Sequence, residues 1–141
     1  MRLGFWQRTA VLAAVAMVSL TGISWFVLHD VIAGDWIDTT QLLLTLHGVS
    51  AYALLVAIGS LLPLHVRAGW LRRRNILTGV TVTAIMAILS VTALMLYYGG
   101  EQTQSAAKWV HLAFGFGCVI LFPAHAFLRT KSDTPTPSIR R

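Results

Sequence analysis

The sequence predicts an all-α protein: an integral membrane four-helix bundle with both termini in the cytoplasm. Its 141 residues are 56% hydrophobic and 11% charged, whereas a soluble domain carries about 25% charged residues. The mean hydropathy is +0.70. Four apolar segments are each long enough to cross a bilayer, which takes about 20 residues. Basic residues lie almost entirely on one side of these segments, which predicts the orientation.

The four segments are predicted from the apolar runs between charged, glycine-bearing or proline-bearing loops. The first, over residues 9–28, follows two arginines as a signal peptide would. Because its apolar run is longer than a signal core and no small-residue cleavage site follows, we expect a retained helix. The other segments are residues 40–65, 75–98 and 106–128. We therefore predict a transmembrane domain over residues 1–129 and a polar, proline-bearing cytoplasmic tail over residues 130–141.

The lysine and arginine distribution predicts the topology. Only Lys108 lies opposite the side shared by both termini and the middle loop, whereas ten basic residues lie on that side. Positive charge is retained in cytoplasmic loops, so we predict a bacterial inner-membrane protein with cytoplasmic termini. The net charge of +6 then reflects membrane topology, and we predict no nucleic-acid partner. The ten residues are Arg2, Arg8, Arg67, Arg72, Arg73, Arg74, Arg129, Lys131, Arg140 and Arg141. The opposite face collects Asp30, Asp35, Asp38 and Glu101.

Four histidines fall within the second and fourth predicted helices, and ionisable residues inside a membrane indicate function by default. His47 and His65 are 18 positions apart, which is a whole number of turns at about 3.6 residues per turn. His111 and His125 are 14 positions apart, about 40° short of four turns. Each helix therefore carries one histidine near each end, on one face.

Level-matched histidines on two helices predict two haem b groups. Both helices run from outside to inside, so His47 is level with His111 and His65 with His125. Each pair offers the two axial nitrogens that a haem b iron takes, and we predict all four as cofactor-binding metal ligands. One cysteine and no Cys-x-x-Cys-His exclude an intramolecular disulfide and covalent c-type attachment. A haem with both axial positions filled passes single electrons.

The two helices differ in the spacing of their histidines. The rise is about 27 Å between His47 and His65, and about 21 Å between His111 and His125. Greater tilt of the second helix, or a bend at Pro63, would reconcile the two spacings. The alternative for His65 is a solvated histidine at the membrane boundary, whereas His47 and His111 lie deeper in apolar sequence.

Other residues near the histidines admit two interpretations each. Gly48, Gly115 and Gly117 either give room to a flat macrocycle or let helices approach closely, which is the commoner role in membranes. His29 beside Asp30 is either a solvated helix end or a proton-handling group at a quinol site. Cys118 is expected to be a small buried core residue.

The chain resembles the di-haem cytochrome b membrane subunits of formate dehydrogenases and nickel-iron hydrogenases, and the small bacterial cytochromes b that exchange electrons with quinones. It is similar more narrowly to small four-helix bacterial proteins regarded as haem b binders. The resemblance rests on Leu46-His47-Gly48, Leu64-His65-Val66-Arg67, Arg74-Asn75, Leu96-Tyr97-Tyr98, Trp109-Val110-His111 and Pro123-Ala124-His125.

The resemblance implies ligand roles for three of the histidines. His111 and His47 would hold the outer haem, and His125 would provide one ligand of the inner haem. In the dehydrogenase and hydrogenase subunits the second inner ligand comes from the first helix. That helix offers only apolar and small residues here, so His65 would substitute. The resemblance also implies a quinone as redox partner.

These observations predict a membrane b-type cytochrome that carries electrons between quinone or quinol and a protein partner, a possible oxidoreductase. One alternative is an accessory membrane subunit, with one haem or none, that anchors or stabilises a larger respiratory or photosynthetic complex. Another is a transition-metal carrier. It is disfavoured because its ligands would converge at one depth or step along a pore, whereas these pairs are about 20 Å apart.

Overall fold

The structure, a computed structural model, describes residues 5–71 and 76–127, except for the side chains of residues 61, 64–66 and 68–70. Four α-helices make up almost all of the described chain, which confirms the all-α class. A π-helix, Val27–Ile32, directly continues the first of them. The α-helices are α1 Phe5–Phe26, α2 Ile37–Leu71, α3 Ile76–Tyr98 and α4 Glu101–Phe127. The predicted tail, residues 130–141, lies outside the described residues.

All four predicted membrane segments fall on helices that are long and apolar enough to span a bilayer. The third predicted segment ends at Tyr98, where α3 ends. The others are extended in the structure: α1 begins at Phe5 and α4 begins at Glu101. Apolar runs define the part of a helix that crosses lipid, but a helix continues into polar sequence while its backbone hydrogen bonds are made. Glu101 in the first turn of α4 also interacts favourably with the positive end of the helix dipole.

α2 is the longest helix, with 35 residues, and it continues through Pro63 to Leu71. The proline therefore does not end the helix, although it removes one backbone hydrogen bond. Since residues 47 to 65 form continuous helix, their rise remains about 27 Å. The difference of about one turn from the histidine spacing on α4 persists.

The chain divides into two compact units, the first ending at Leu71. We call α1, the π-helix and α2 the first hairpin, and α3 and α4 the second hairpin. In the first hairpin α1 packs against α2, and its buried apolar residues are Val11 and Leu54. Partly buried or buried positions of α2 recur every three or four residues, which is the spacing of a helix that packs along one stripe. They include Thr40, Leu43, His47, Ser50 and Leu54.

In the second hairpin α3 packs against α4. The turn between them is short: the Gly99 amide donates to the Met95 carbonyl and the Gln104 amide donates to the Gly100 carbonyl, each at 2.9 Å. A Cβ atom at residue 99 would collide with the Met95 carbonyl oxygen, so this turn requires glycine. The buried apolar residues of the hairpin are Ile85, Ala107, Cys118 and Phe122, and the expected burial of Cys118 is confirmed.

Candidate functional site

His47 contacts α1 through its Nδ1 atom. That nitrogen lies 3.0 Å from the Val18 carbonyl oxygen and 3.3 Å from Thr21 Oγ1. A carbonyl oxygen only accepts hydrogen bonds, so Nδ1 of His47 carries a proton and donates. The Thr21 hydroxyl donates its own hydrogen to the Met17 carbonyl at 2.6 Å and is left to accept from His47. In the neutral imidazole, Nε2 is then the nitrogen that can ligate a metal.

His111 makes the equivalent contact in the second hairpin. Its Nδ1 atom lies 2.8 Å from Oγ1 of Thr92, a buried residue of α3. The Thr92 hydroxyl donates to the Ile88 carbonyl of its own helix at 2.8 Å. Because a hydroxyl has one hydrogen to donate, the bond to the imidazole runs from Nδ1–H to Oγ1. Nε2 of neutral His111 is thus the nitrogen that would be available to a metal, as in His47.

His125 repeats the contact near the other end of the second hairpin. Its Nδ1 atom lies 3.0 Å from Oγ1 of Thr78. Thr78 and Thr92 are separated by 14 positions on α3, as are His111 and His125 on α4. Because α3 and α4 are antiparallel, two residues 14 positions apart on one helix lie at the same levels as two residues 14 positions apart on the other. One face of α3 therefore contacts both histidines of α4.

A small residue follows each of these threonines. A methyl group added at Gly22, after Thr21, would lie 3.0 Å from Cε1 of His47. One added at Gly79, after Thr78, would lie 3.5 Å from Cε1 of His125. The residue after Thr92 is Ala93. A threonine thus contacts Nδ1 of each of the three histidines, and we call this contact the threonine seat; at Thr21 and Thr78 the glycine that follows also leaves room for the imidazole ring.

His65 differs from the other three histidines. It lies within α2, but its side chain lies outside the described residues. In the register that places Thr21 beside His47, a residue 18 positions further along α2 lies beyond the level of Phe5, the first described residue of α1. No described residue of α1 is therefore level with His65. The pairing of His47 with His111, and of His65 with His125, stays a prediction.

His29 lies in the π-helix. Its Nδ1 atom is 2.9 Å from Asp30 Oδ1. The imidazole also stacks on Trp25, with ring centroids 4.5 Å apart and an interplanar angle of 15°. The His29 side chain is 51% exposed and that of Asp30 is 19% exposed. An open pocket adjoins this pair, lined by His29, Ala33, Gly34, Trp36, Ile37 and Thr40.

The glycines singled out in the sequence make no close contact. A Cβ atom at Gly48, Gly115 or Gly117 would meet no other atom within 4 Å. Within its own hairpin, each of these glycines therefore differs from Gly22 and Gly79, beside which a histidine ring lies. The space beside His47 and His111 remains compatible with a flat ligand.

The threonines were not identified from the sequence. A threonine in an apolar helix commonly bonds to the carbonyl three or four residues earlier, so its presence alone carries no functional meaning. The usable signal was the equal spacing of 14 in α3 and α4. For α1 and α2, nothing in the spacing indicates that Thr21 lies beside His47.

The Nε2 atoms of His47 and His111 fit the chemistry of haem ligation. Two neutral imidazoles that ligate through Nε2 suit a haem iron with two axial ligands, and a second hydrogen bond from Nδ1 is the usual support of a metal-binding histidine. Within the part of the chain that the structure describes, no cluster of three or more His, Cys, Asp or Glu side chains suits a metal ion, whereas a haem needs two axial residues.

Fold and site together define a class: an α-helical protein whose membrane-length helices carry hydrogen-bonded histidines within their apolar spans. Comparisons with protein-family models, curated proteins and solved structures return no match.

Proposed function

We propose that the chain is a membrane b-type cytochrome that moves electrons between quinone or quinol and a protein partner. His47 and His111 would be the axial ligands of the outer haem b, and His65 and His125 those of the inner one. The observation that carries the proposal is the threonine seat, which three of these histidines share. The haem would supply reversible one-electron chemistry at its iron.

The threonine seat supports ligation for an energetic reason. An imidazole in an apolar helix costs free energy unless its polar atoms are satisfied. A role in packing alone gives no reason to place histidine there rather than an apolar residue. In His47 and His111 the Nδ1–H bond fixes both the tautomer and the ring plane, and a hydrogen bond of this kind raises the basicity of a ligating histidine.

The residues around the histidines also support a flat apolar cofactor. Gly48 lies beside His47, and Gly115 lies one turn from His111, with open space at both positions. Cofactor sites in helical bundles are built from side chains on facing helices, with small residues where the ligand approaches. Large exposed apolar side chains on every α-helix suit contact with a lipid bilayer, and we place the protein in a bacterial inner membrane.

The proposal is tested by a dithionite-reduced minus oxidised spectrum with pyridine-haemochrome quantitation, on full-length protein in mild detergent. We expect two haems b per chain in the wild type. His111→Ala should remove the outer haem, and His65→Ala should remove only the inner haem. Thr45→Ala is the matched control on α2, because its hydroxyl is exposed and bonds only to Gln41 of its own helix among the contacts described.

The result separates the proposals about the two sites. One haem per chain that survives His65→Ala would support the His47 and His111 site and overturn the inner site. A protein purified without haem, and unable to bind added haem, would overturn the cytochrome proposal and favour an accessory membrane subunit. Haem that persists in full after His111→Ala would overturn the ligand assignment.

A further inference from the structure

We propose that the His29–Asp30 pair and its adjoining pocket form a quinol headgroup site in which His29 Nε2 accepts a proton from the quinol hydroxyl. This inference rests on the proposed function, since the electrons need the haem at His47 as their acceptor. It assigns a ligand and a chemical role to residues outside the four ligand histidines.

The contact with Asp30 orients the His29 imidazole so that it can act as a base. A carboxylate oxygen only accepts hydrogen bonds, so the 2.9 Å contact runs from Nδ1–H of His29 to Oδ1 of ionised Asp30. Nε2 then carries the lone pair of the neutral imidazole. A base whose second nitrogen is fixed by a carboxylate is also stabilised when it becomes an imidazolium. The half-exposed imidazole is accessible to a ligand, while the carboxylate beneath it is less so.

The residues that line the pocket have the chemistry expected of an aromatic headgroup site. Trp36 lies on its rim, Ile37 adds apolar surface, and Thr40 adds a hydroxyl. Trp25 stacks flat on the imidazole, which fixes the ring plane that a bound quinol meets. A quinol dissolved in the bilayer presents a flat ring and two hydroxyl groups, which this combination of apolar surface and a hydrogen-bond acceptor recognises.

The backbone around the pair has an unusual conformation. π-helices are rare and occur often at functional sites, and this one, Val27–Ile32, contains both His29 and Asp30. It ends at Ala33 with φ of 50°, the one non-glycine residue of the described chain with a positive φ. Such a conformation costs free energy for alanine. A left-handed residue after the last turn is a common way for a helix to end, so the feature that distinguishes this terminus is the π-helical turn that carries His29 and Asp30.

The pocket also lies close to the proposed electron acceptor along the helix. Thr40 lines the pocket and is seven residues before His47 on α2, so the rise between them is about 10 Å. In the proposed step a quinol O–H bond breaks and its proton joins His29 Nε2, while one electron leaves the ring for the one-electron acceptor that a haem held by His47 would provide. His29 then releases that proton to water. A second proton and electron leave in the same way, and the products are quinone, two protons and two reducing equivalents.

The test has a binding arm that needs no haem and a kinetic arm that does. An azido-quinone is photolysed with full-length protein in nanodiscs, with and without excess quinol, and labelled peptides are identified by mass spectrometry. In the second arm, haem reduction is followed by stopped flow after mixing with a soluble quinol analogue or with dithionite. The variants are His29→Gln, Asp30→Asn and, as a carboxylate control outside the pocket, Asp38→Asn.

We expect quinol-protected labelling of the peptide that contains residues 25–40. His29→Gln should keep its haem content and its reduction by dithionite, but its limiting rate of reduction by quinol should fall about 100-fold or more, as for loss of a general base. Asp30→Asn should lower the limiting rate about tenfold with little change in the quinol concentration at half-maximal rate, because Asp30 is a positioning residue. Asp38→Asn should stay within about twofold of the wild type.

Each failure has its own meaning. Labelling elsewhere, or labelling that quinol does not compete away, would overturn the site whether or not haem is present. An unchanged quinol rate in His29→Gln would overturn the proton-acceptor role and leave the cytochrome proposal standing. Absence of haem from the wild type would overturn the proposed function and the redox step together, while the labelling arm would still decide the quinol site.

Discussion

A histidine that ligates iron through Nε2 needs its other nitrogen protonated and held in place. In this chain threonine hydroxyls from the neighbouring helix contact Nδ1 of His47, His111 and His125, so they would meet that need if these histidines hold haem as proposed. The choice of threonine has a physical reason. Its hydroxyl can donate to the carbonyl of its own helix while accepting from the imidazole, so both groups are satisfied inside an apolar span.

Thr92→Val is expected to weaken haem binding about 10-fold to 100-fold, which is the usual cost of removing the hydrogen bond to the non-ligating nitrogen of a metal-binding histidine. Valine has nearly the shape of threonine but accepts no hydrogen bond, so Nδ1–H of His111 loses its partner on α3. Haem titration of apoprotein, followed at the Soret band, measures the affinity.

Two further variants make this prediction specific. Thr92→Ser keeps the hydroxyl and should recover most of the affinity. Thr83→Val removes an exposed hydroxyl of α3 that bonds to the Gly79 carbonyl, and it should bind haem like the wild type. Equal haem affinity in the valine and serine variants would show that the hydroxyl contributes nothing to ligation.

At the scale of residues, the sequence singles out the four histidines as candidate ligands, but it does not single out the threonines that contact three of them. Histidines stand out because ionisable residues are rare in apolar spans. Nothing in the sequence distinguishes Thr21 and Thr78 from Thr81, a threonine of α3 whose described hydrogen bond goes to its own helix. Their role depends on the register between neighbouring helices, which a single sequence does not specify.

At the scale of helices, hydropathy located all four helices and the end of α3 at Tyr98, but not the other ends that differ from the prediction. α2 extends six residues beyond the predicted end at residue 65, since neither Pro63 nor the charge of Arg67 stops a helix whose backbone bonds are otherwise made. The π-helix was not predicted, because no residue pattern distinguishes it from the last turn of an α-helix. Gly22 leaves room for His47 between α1 and α2, because a Cβ atom at this position would lie 3.0 Å from Cε1 of His47.

Gly22→Ala is expected to be less stable than Gly48→Ala by about 1 to 3 kcal/mol, the usual cost of overpacking. Both changes gain up to about 1 kcal/mol of helix propensity. A methyl group at Gly48 meets open space, but at Gly22 it would lie 3.0 Å from Cε1 of an imidazole that is held by two hydrogen bonds. Thermal unfolding of both variants in the same detergent measures the difference.

The comparison is sensitive because the two substitutions are chemically identical and lie in the same hairpin. Gly48→Ala should match or exceed the wild type in thermal stability, which controls for any general intolerance of alanine. If Gly22→Ala unfolds at the same temperature as Gly48→Ala, the close approach of α1 to His47 does not constrain the hairpin.

At the scale of the whole molecule, charge rather than packing predicts how the helices lie in the membrane. Helix packing is indifferent to which side of the bilayer is which, so the fold carries no orientation. The basic residues do carry one, because short loops rich in lysine and arginine stay in the cytoplasm. The predicted topology assigns ten of the eleven basic residues to one side, so we expect a single orientation with the His29–Asp30 pair outside.

Cysteine accessibility tests this orientation. In a Cys118→Ser background, Gln102→Cys places a thiol at an exposed position in the first turn of α4, and Ser138→Cys places one in the tail. A membrane-impermeant maleimide added to intact cells should label the first variant and reach the second only after lysis, whereas a permeant maleimide should label both. The reverse pattern would put both termini outside. In that case a proton released at His29 would enter the cytoplasm, so that quinol oxidation there would not add to the proton gradient across the membrane.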